Sequence, residues 1–387
     1  MAPQPPRQAP LATVAREWTR IGVTGFGGPP AHIALLRELV VARRGWMDAQ
    51  AFEDANAACG LLPGPASTQL AIFTAYRVAG PAGAIVGGLG FVVPAVVLIL
   101  ALSVLFLGHA PPLWIRGAGA GAGAAVSAVA VSAARGLWGP SFARARIRRD
   151  GAARWLLYLA AGIAAAALIG PYLVLVLLAC GGAELLAQRR GAPALPGASV
   201  GALIPGSLAT GGIGALAWTA LKVGALSFGG GFVIIPLMQG DAVHTYHWMT
   251  DSQFLNAVAL GQVTPGPVVA TVAAVGYAAH GVAGGLLAAG VAFCPSFAFI
   301  LIGGRRFERL RSDSGARAFL DGAGPAAIGA ILGAAVTLAG ALSETWQLPV
   351  LAGAAVALLG LRRGVVPVLL GAAIIGVIVA GAGAPVP

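Results

Sequence analysis

The stretch LPGP, Leu62 to Pro65, interrupts an apolar run in which two prolines are out of place. TPGP, Thr264 to Pro267, does the same 202 residues later. Proline lacks a backbone donor and its ring clashes with the preceding turn, so each motif stops or breaks a helix. Working outward at an offset of 202, Phe26-Gly27-Gly28 falls on Phe228-Gly229-Gly230, Trp46-Met47 on Trp248-Met249, and Phe52 on Phe254. One residue then drops out. At an offset of 201, Tyr76, Gly80, Gly83 and Pro94 meet Tyr277, Gly281, Gly284 and Pro295. The chain is therefore two copies of one unit. We divide it into an N-terminal repeat over 1–190, a linker over 191–209 rich in Ala, Pro and Gly, and a C-terminal repeat over 210–387.

Composition says which solvent these repeats face. Of 387 residues 58% are hydrophobic and only 10% charged, with a mean hydropathy of +0.86. A soluble domain carries about 25% charged residues. Apolar spans read at about 82–106, 113–134, 155–169 and 172–187, then 283–303, 322–341, 347–361 and 365–381, the longer of them matching a bilayer's thickness. The net charge of +11 comes from twenty-three arginines and one lysine against thirteen acids. Arg144, Arg146, Arg148 and Arg149 form one short basic loop, Arg189 and Arg190 another, and Arg305, Arg306, Arg309 and Arg311 a third. Arg362 and Arg363 close the series. That is the pattern of the positive-inside bias; a nucleic-acid binder shows a basic stripe on a soluble fold, so no nucleic-acid partner is expected. The lipid bilayer is.

Placing the loops 135–154 and 305–311 on the same side makes span 283–303 run opposite to its counterpart 82–106. The loops before the two PGP motifs agree: VVARRGW carries Arg43 and Arg44, whereas its equivalent DAVHTYHW has neither arginine nor lysine. The expected fold is an all-α polytopic membrane protein of two inverted repeats, with broken or re-entrant helices at the PGP motifs. The number of crossings and the side of the N-terminus stay open, since Arg7, Arg16 and Arg20 fall near an outside terminus in this scheme.

Inverted repeats commonly place discontinuous helices where the halves meet, near the bilayer midplane. Proline at a first helical position gives up a donor that has no intrahelical partner anyway. Each PGP would end one half-helix and start another whose free N–H groups form an anion site. The plain alternative is a pair of structural kinks. The candidate binding residues are Pro63, Gly64, Pro65, Pro265, Gly266 and Pro267, with Gly27, Gly28, Gly229 and Gly230. Ser67, Thr68, Gln69, Gln262 and Thr264 supply neutral hydrogen-bonding groups beside the breaks, and Thr271 follows. Arg20 lies on Lys222 under the repeat offset, each six residues before its Phe-Gly-Gly. Intramembrane cations are costly and mark function by default, so this pair suits a dianion; snorkelling to an interface is the alternative. His32 and Glu38 are candidates for moving a coupled proton, or are structural.

No metal or cofactor site is expected, and no catalytic one. Cys59, Cys180 and Cys294 have no ligand spacing and read as buried apolar residues. The single lysine follows Leu221, which excludes a Walker A loop within this chain. An intramembrane enzyme finds no HExxH, and Glu53-Asp54 has no histidine at metal-ligand spacing.

These residues resemble the chromate transporter family. The likeness rests on FGGPPAHIALL (26–36), GWMDAQAF (45–52) and LLPGPASTQLA (61–71), then on LKVGALSFGGG (221–231) and NAVALGQVTPGP (256–267). It covers both repeats in the order of a two-domain member. The resemblance implies a bacterial inner-membrane secondary transporter that exports chromate and confers resistance to it, with isosteric sulfate as competitor. Carriage of sulfate or another dianion is the alternative, and a homodimer is a compatible assembly. One departure stands out: the family's glutamine two residues before the first Leu-Pro is here Gly60, while the second repeat keeps Gln262.

Overall fold

The computed structural model describes residues 9–60, 62–108, 111–148, 150–168, 173–189, 211–227, 231–303 and 313–387. The linker 191–209, Gly229 and Gly230, Arg149 and Arg190, and the arginines of 305–311 lie outside the described residues. Among those described, every regular element is helical.

The first half runs α1 (Leu11–Thr24), α2 (Pro29–Arg37) with a π-helical extension over Glu38–Arg43, and α3 (Ala49–Cys59). The PGP motif follows, then α4 (Ala66–Phe106), α5 (Leu113–Ala145), α6 (Gly151–Leu168) and α7 (Leu173–Arg189). The second half repeats this order. It runs α8 (Ile213–Leu226), α9 (Ile234–Gln239) with a π-turn over Gly240–Thr245, and α10 (Asp251–Val263). The second PGP leads through a 3-10 turn, Val268–Thr271, into α11 (Val272–Gly303) and α12 (Ser314–Gly340). Helices α13 (Gln347–Ala355, extended by a π-turn over Val356–Gly360) and α14 (Val365–Gly381) end it.

Local chemistry repeats with the topology. Asp48 caps α3 by accepting from the Ala51 N–H, and Thr250 caps α10 in a capping box with Gln253, which fixes where each helix before a PGP begins. Helix α4 kinks at Ala79 and Gly80 (φ 66°), and α11 at His280 and Gly281 (φ 64°). Among the described residues five helices are long and apolar enough to cross a membrane: α4, α5, α6, α11 with the 3-10 turn before it, and α12. The expected spans beginning at 82 and 283 are the parts of α4 and α11 beyond these kinks.

Counterpart helices run antiparallel. Between α4 and α11, Gly88 packs on Phe297 while Gly285 packs on Leu100. Between α5 and α12, Ser127 Oγ donates to the Ala335 carbonyl (2.6 Å), while Arg148 at the far end pairs with Asp321 (2.6 Å). The inversion predicted from arginine placement is thus present in the packing itself. Cysteines placed at Gln50 and at its counterpart Ser252, in a background lacking Cys59, Cys180 and Cys294, should label from opposite membrane faces. Labelling of both from one face would contradict the antiparallel arrangement.

The halves also exchange partners. Helix α5 packs against α13 and α14 of the second half, and α12 against α6 and α7 of the first. Small residues make this close approach feasible, which is how helices associate where lipid removes the hydrophobic drive. Gly121 lies against Ala372 and Gly376, and its counterpart Gly322 against Cys180 and Glu184. At one end of α12 a polar cluster ties three helices to the loop after α5: Arg148 reaches Asp321 and Glu184, while Arg154 (2.9 Å) and Tyr158 (3.2 Å) bind Glu184. This is where part of the expected basic loop 135–154 ends up, its arginines paired with buried or half-buried acids.

Candidate anion site at the PGP tips

Each PGP forms the tip of a hairpin between two helices, with Gly64 at φ 116° and Gly266 at φ 97°. Only glycine adopts such values without strain. Each tip inserts against the other half. A Cβ at Gly64 would meet Gln69 Nε2 (2.7 Å), the Gly224 carbonyl (3.2 Å) and Ser296 Oγ (3.5 Å). A Cβ at Gly266 would meet Ala95 Cβ (2.6 Å) and the Gly22 carbonyl (3.7 Å). These contacts are related by the repeat: Gly22 corresponds to Gly224 and Ala95 to Ser296.

A chain of hydrogen bonds links the tips. The Gly25 carbonyl accepts from the Gly266 N–H (3.0 Å) and lies 2.9 Å from His32 Nε2. A carbonyl can only accept, so Nε2 carries the proton and Nδ1 is left to accept from Ser67 Oγ at 3.4 Å. Ser67 stands on the first turn of α4, just after the first tip. His32 is fully buried, with the Phe91 ring edge-on to it.

Around the tips several polar atoms are buried without a partner among the described residues: Thr68 Oγ1, Gln69 Oε1, Ser227 Oγ, Gln262 Nε2 and Ser296 Oγ. Leaving such a group unpaired costs about 1–3 kcal/mol each. Gln69 Nε2 is turned back to the Pro63 carbonyl (2.7 Å), and Thr271 Oγ1 to the Val268 carbonyl (2.7 Å). Pro65, Pro265, Pro267 and Thr264 are buried as well.

The two cations stand apart from this centre. Arg20 is exposed near the end of α1. Lys222 Nζ pairs with Asp241 Oδ2 at 2.6 Å, and Asp241 also accepts from Thr219 Oγ1 at 2.7 Å. Lys222 and Gly224, which touches the first tip, are two residues apart and so about 200° apart around α8. The equivalent position to Asp241 in the first half is Leu39, and there the acid sits on α1 instead: Glu17 binds Arg43 and Arg44, each at 2.5 Å. Each half therefore latches its first helix to its π-helical segment with an ion pair, but with the charges exchanged. Glu38 and Gly27 are exposed and Gly28 is half-buried, all on the approach to α2 or its end. Asp241 and Ser296 belong to none of the quoted motifs, and Ser227, inside LKVGALSFGGG, is not singled out within it; only the rarity of an acid in the apolar run IIPLMQGDAV could have drawn attention to Asp241.

Comparison with known proteins adds the following. A family model described as chromate transporter matches residues 12–185 and 214–377. A chromate transport protein of Cupriavidus metallidurans is 31% identical over 87% of this chain and 88% of its own length. Another, from Pseudomonas aeruginosa, is 32% identical over 84% of this chain and 80% of its own. A probable chromate transport protein of Synechococcus elongatus is 28% identical over 85% of the chain and 84% of its own. No solved structure matches. The two family segments coincide with the two inverted halves.

Proposed function

The chain belongs to the chromate transporter family, and we propose that it is a secondary transporter, not an enzyme, that carries chromate out of the cell across the inner membrane and so confers resistance. The observation that carries this reading is the pair of PGP tips, one from each antiparallel half, buried against the opposite half and joined through Gly25, His32 and Ser67. Broken helices at the junction of inverted repeats are how such carriers hold a substrate between two access routes. Irregular backbone is tolerated at that depth only where protein or a cavity surrounds it.

Energetics suits export. Moving charge across the membrane is worth about 2.3 kcal/mol per elementary charge per 100 mV. A dianion leaving a negative-inside cell gains roughly 4–5 kcal/mol at about 100 mV, so no coupled ion is needed. The ammonium of Lys222, released from Asp241, is the cation we assign to the passing anion, with the exposed Arg20 at the entrance of the other half. His32 sits where a proton could be relayed to Ser67.

Everted membrane vesicles carrying the protein should accumulate chromate faster than empty ones. The rate should rise as the lumen is made positive and fall when sulfate competes. Accumulation no greater than in empty vesicles, at several clamped potentials, would rule out chromate export.

A further inference from the structure

The two PGP tips are related by the repeat but differ chemically. The second tip is closed. Gly266 donates its N–H to Gly25 at 3.0 Å and packs on Ala95. The residues after it are Val268, Val269 and Ala270 in a four-residue 3-10 turn, where Thr271 satisfies its own hydroxyl on Val268. The first tip packs on Gly224 and Ser296 in the corresponding way, but among the described residues its Gly64 N–H makes no such hydrogen bond. After Pro65 the chain enters α4 directly, and no side chain caps that helix, so the N–H groups of Ala66, Ser67 and Thr68 lack intrahelical acceptors. Where the second tip has Ala270 and Ala95, the first has Thr68 and Ser296, both fully buried and both with unpartnered hydroxyls. Ser296 Oγ lies 3.5 Å from where a Gly64 side chain would begin.

We propose that the first tip alone binds the tetrahedral oxyanion, with the Thr68 and Ser296 hydroxyls and the first-turn N–H groups of α4 as its donors, while the second tip is a structural pivot. The assignment rests on the oxyanion-transport reading above and narrows it to one tip. Buried hydroxyls that can rotate their O–H toward a ligand are suited to an anion. A free helix N-terminus adds its dipole. The hydrogen bond that Ser67 gives His32 holds that first turn in place from the side. A side chain at 64 would overlap the Gln69 amide, 2.7 Å from its first carbon, so glycine is what lets the tip approach Ser296.

The test is equilibrium dialysis of radiolabelled chromate against purified protein, together with vesicle flux. Ser296→Ala and Thr68→Val should each weaken chromate binding at least about tenfold, the usual consequence of losing a hydrogen bond to a charged group. Thr68→Ser, which keeps the hydroxyl, should stay within about twofold of wild type by the same measure. Ala95→Ser and Ala270→Ser, at the equivalent places of the second tip, should also leave binding within about twofold. If wild-type protein carries chromate and Ser296→Ala and Thr68→Val bind it equally well, the first tip is not the site, while the transport function stands. If wild-type protein carries no chromate, that function falls, and dialysis against sulfate still reads the tip: binding weakened by Ser296→Ala upholds it, and unchanged binding overturns it.

Discussion

Lys222→Gln is expected to abolish chromate flux, and Lys222→Arg to keep part of it. Two causes predict that loss, and a second substitution separates them. Lys222 Nζ lies 2.6 Å from Asp241, whose carboxylate is almost completely buried. Removing one partner of a buried pair strands the other charge, which costs about 3–5 kcal/mol and can unfold the protein. Lys222→Gln combined with Asp241→Asn leaves no stranded charge, and the asparagine can keep the bond from Thr219. If the ammonium serves the anion, the double variant inserts normally, resists unfolding like wild type and still carries nothing. If the pair only fastens α8 to the π-turn after α9, the double variant regains flux. Wild-type flux from a well-inserted Lys222→Gln protein would remove this residue from the transport path altogether.

Gly121→Val should cost the protein its fold rather than its selectivity. Gly121 on α5 lies so close to the Ala372 carbonyl on α14 that even a methyl group would overlap it. Gly117 repeats the contact one turn away, against Gly376 and Ala380. A branched side chain there must push α14 outward along several turns, and lipid offers no compensating drive to hold the helices together. Overpacking in a dense core costs typically 1–3 kcal/mol and more where backbone blocks relaxation. We expect most Gly121→Val protein to be degraded or to elute aggregated from detergent. Gly136→Val on the same helix, where a Cβ meets nothing within 4 Å, should be recovered at wild-type yield. Equal yields for both would mean that α5 and α14 are not in close contact.

Much of this architecture can be read from the residues, and the reason is physical. Hydropathy reports burial in lipid over whole helices, so the spans from Leu113 and Val365 are legible one at a time. The offset of 202 is legible because glycine and proline at the breaks admit few replacements: Gly64 and Gly266 need positive φ, and Pro65 and Pro267 start helices. Arginine placement carries the inversion because charge selects a membrane face. What stays illegible is which side chains turn toward each other between distant helices. Arg20 and Lys222 match in register, yet one is exposed and the other is paired with Asp241, a residue nineteen positions away that no periodicity singles out. Ser296 reads as one more small residue in an apolar helix, and nothing in the sequence shows that the first tip inserts beside it. The family likeness identifies the shared motifs but is equally silent about how the two tips differ.

The exchange of partners between halves has a consequence for how the molecule is made. Helices α6 and α7 leave the ribosome well before α12, the helix they clasp, and α5 must wait longer still for α14. Chains are synthesised at about 5–20 residues per second, so for several seconds the first half stands in the bilayer with glycine-lined grooves filled only by lipid. It cannot mature as a unit and then receive the second half as a finished block. The contacts that close α5 are made only once the last helix, α14, is present. A chain truncated before residue 365 would lack the piece that seals α5, however intact its first repeat.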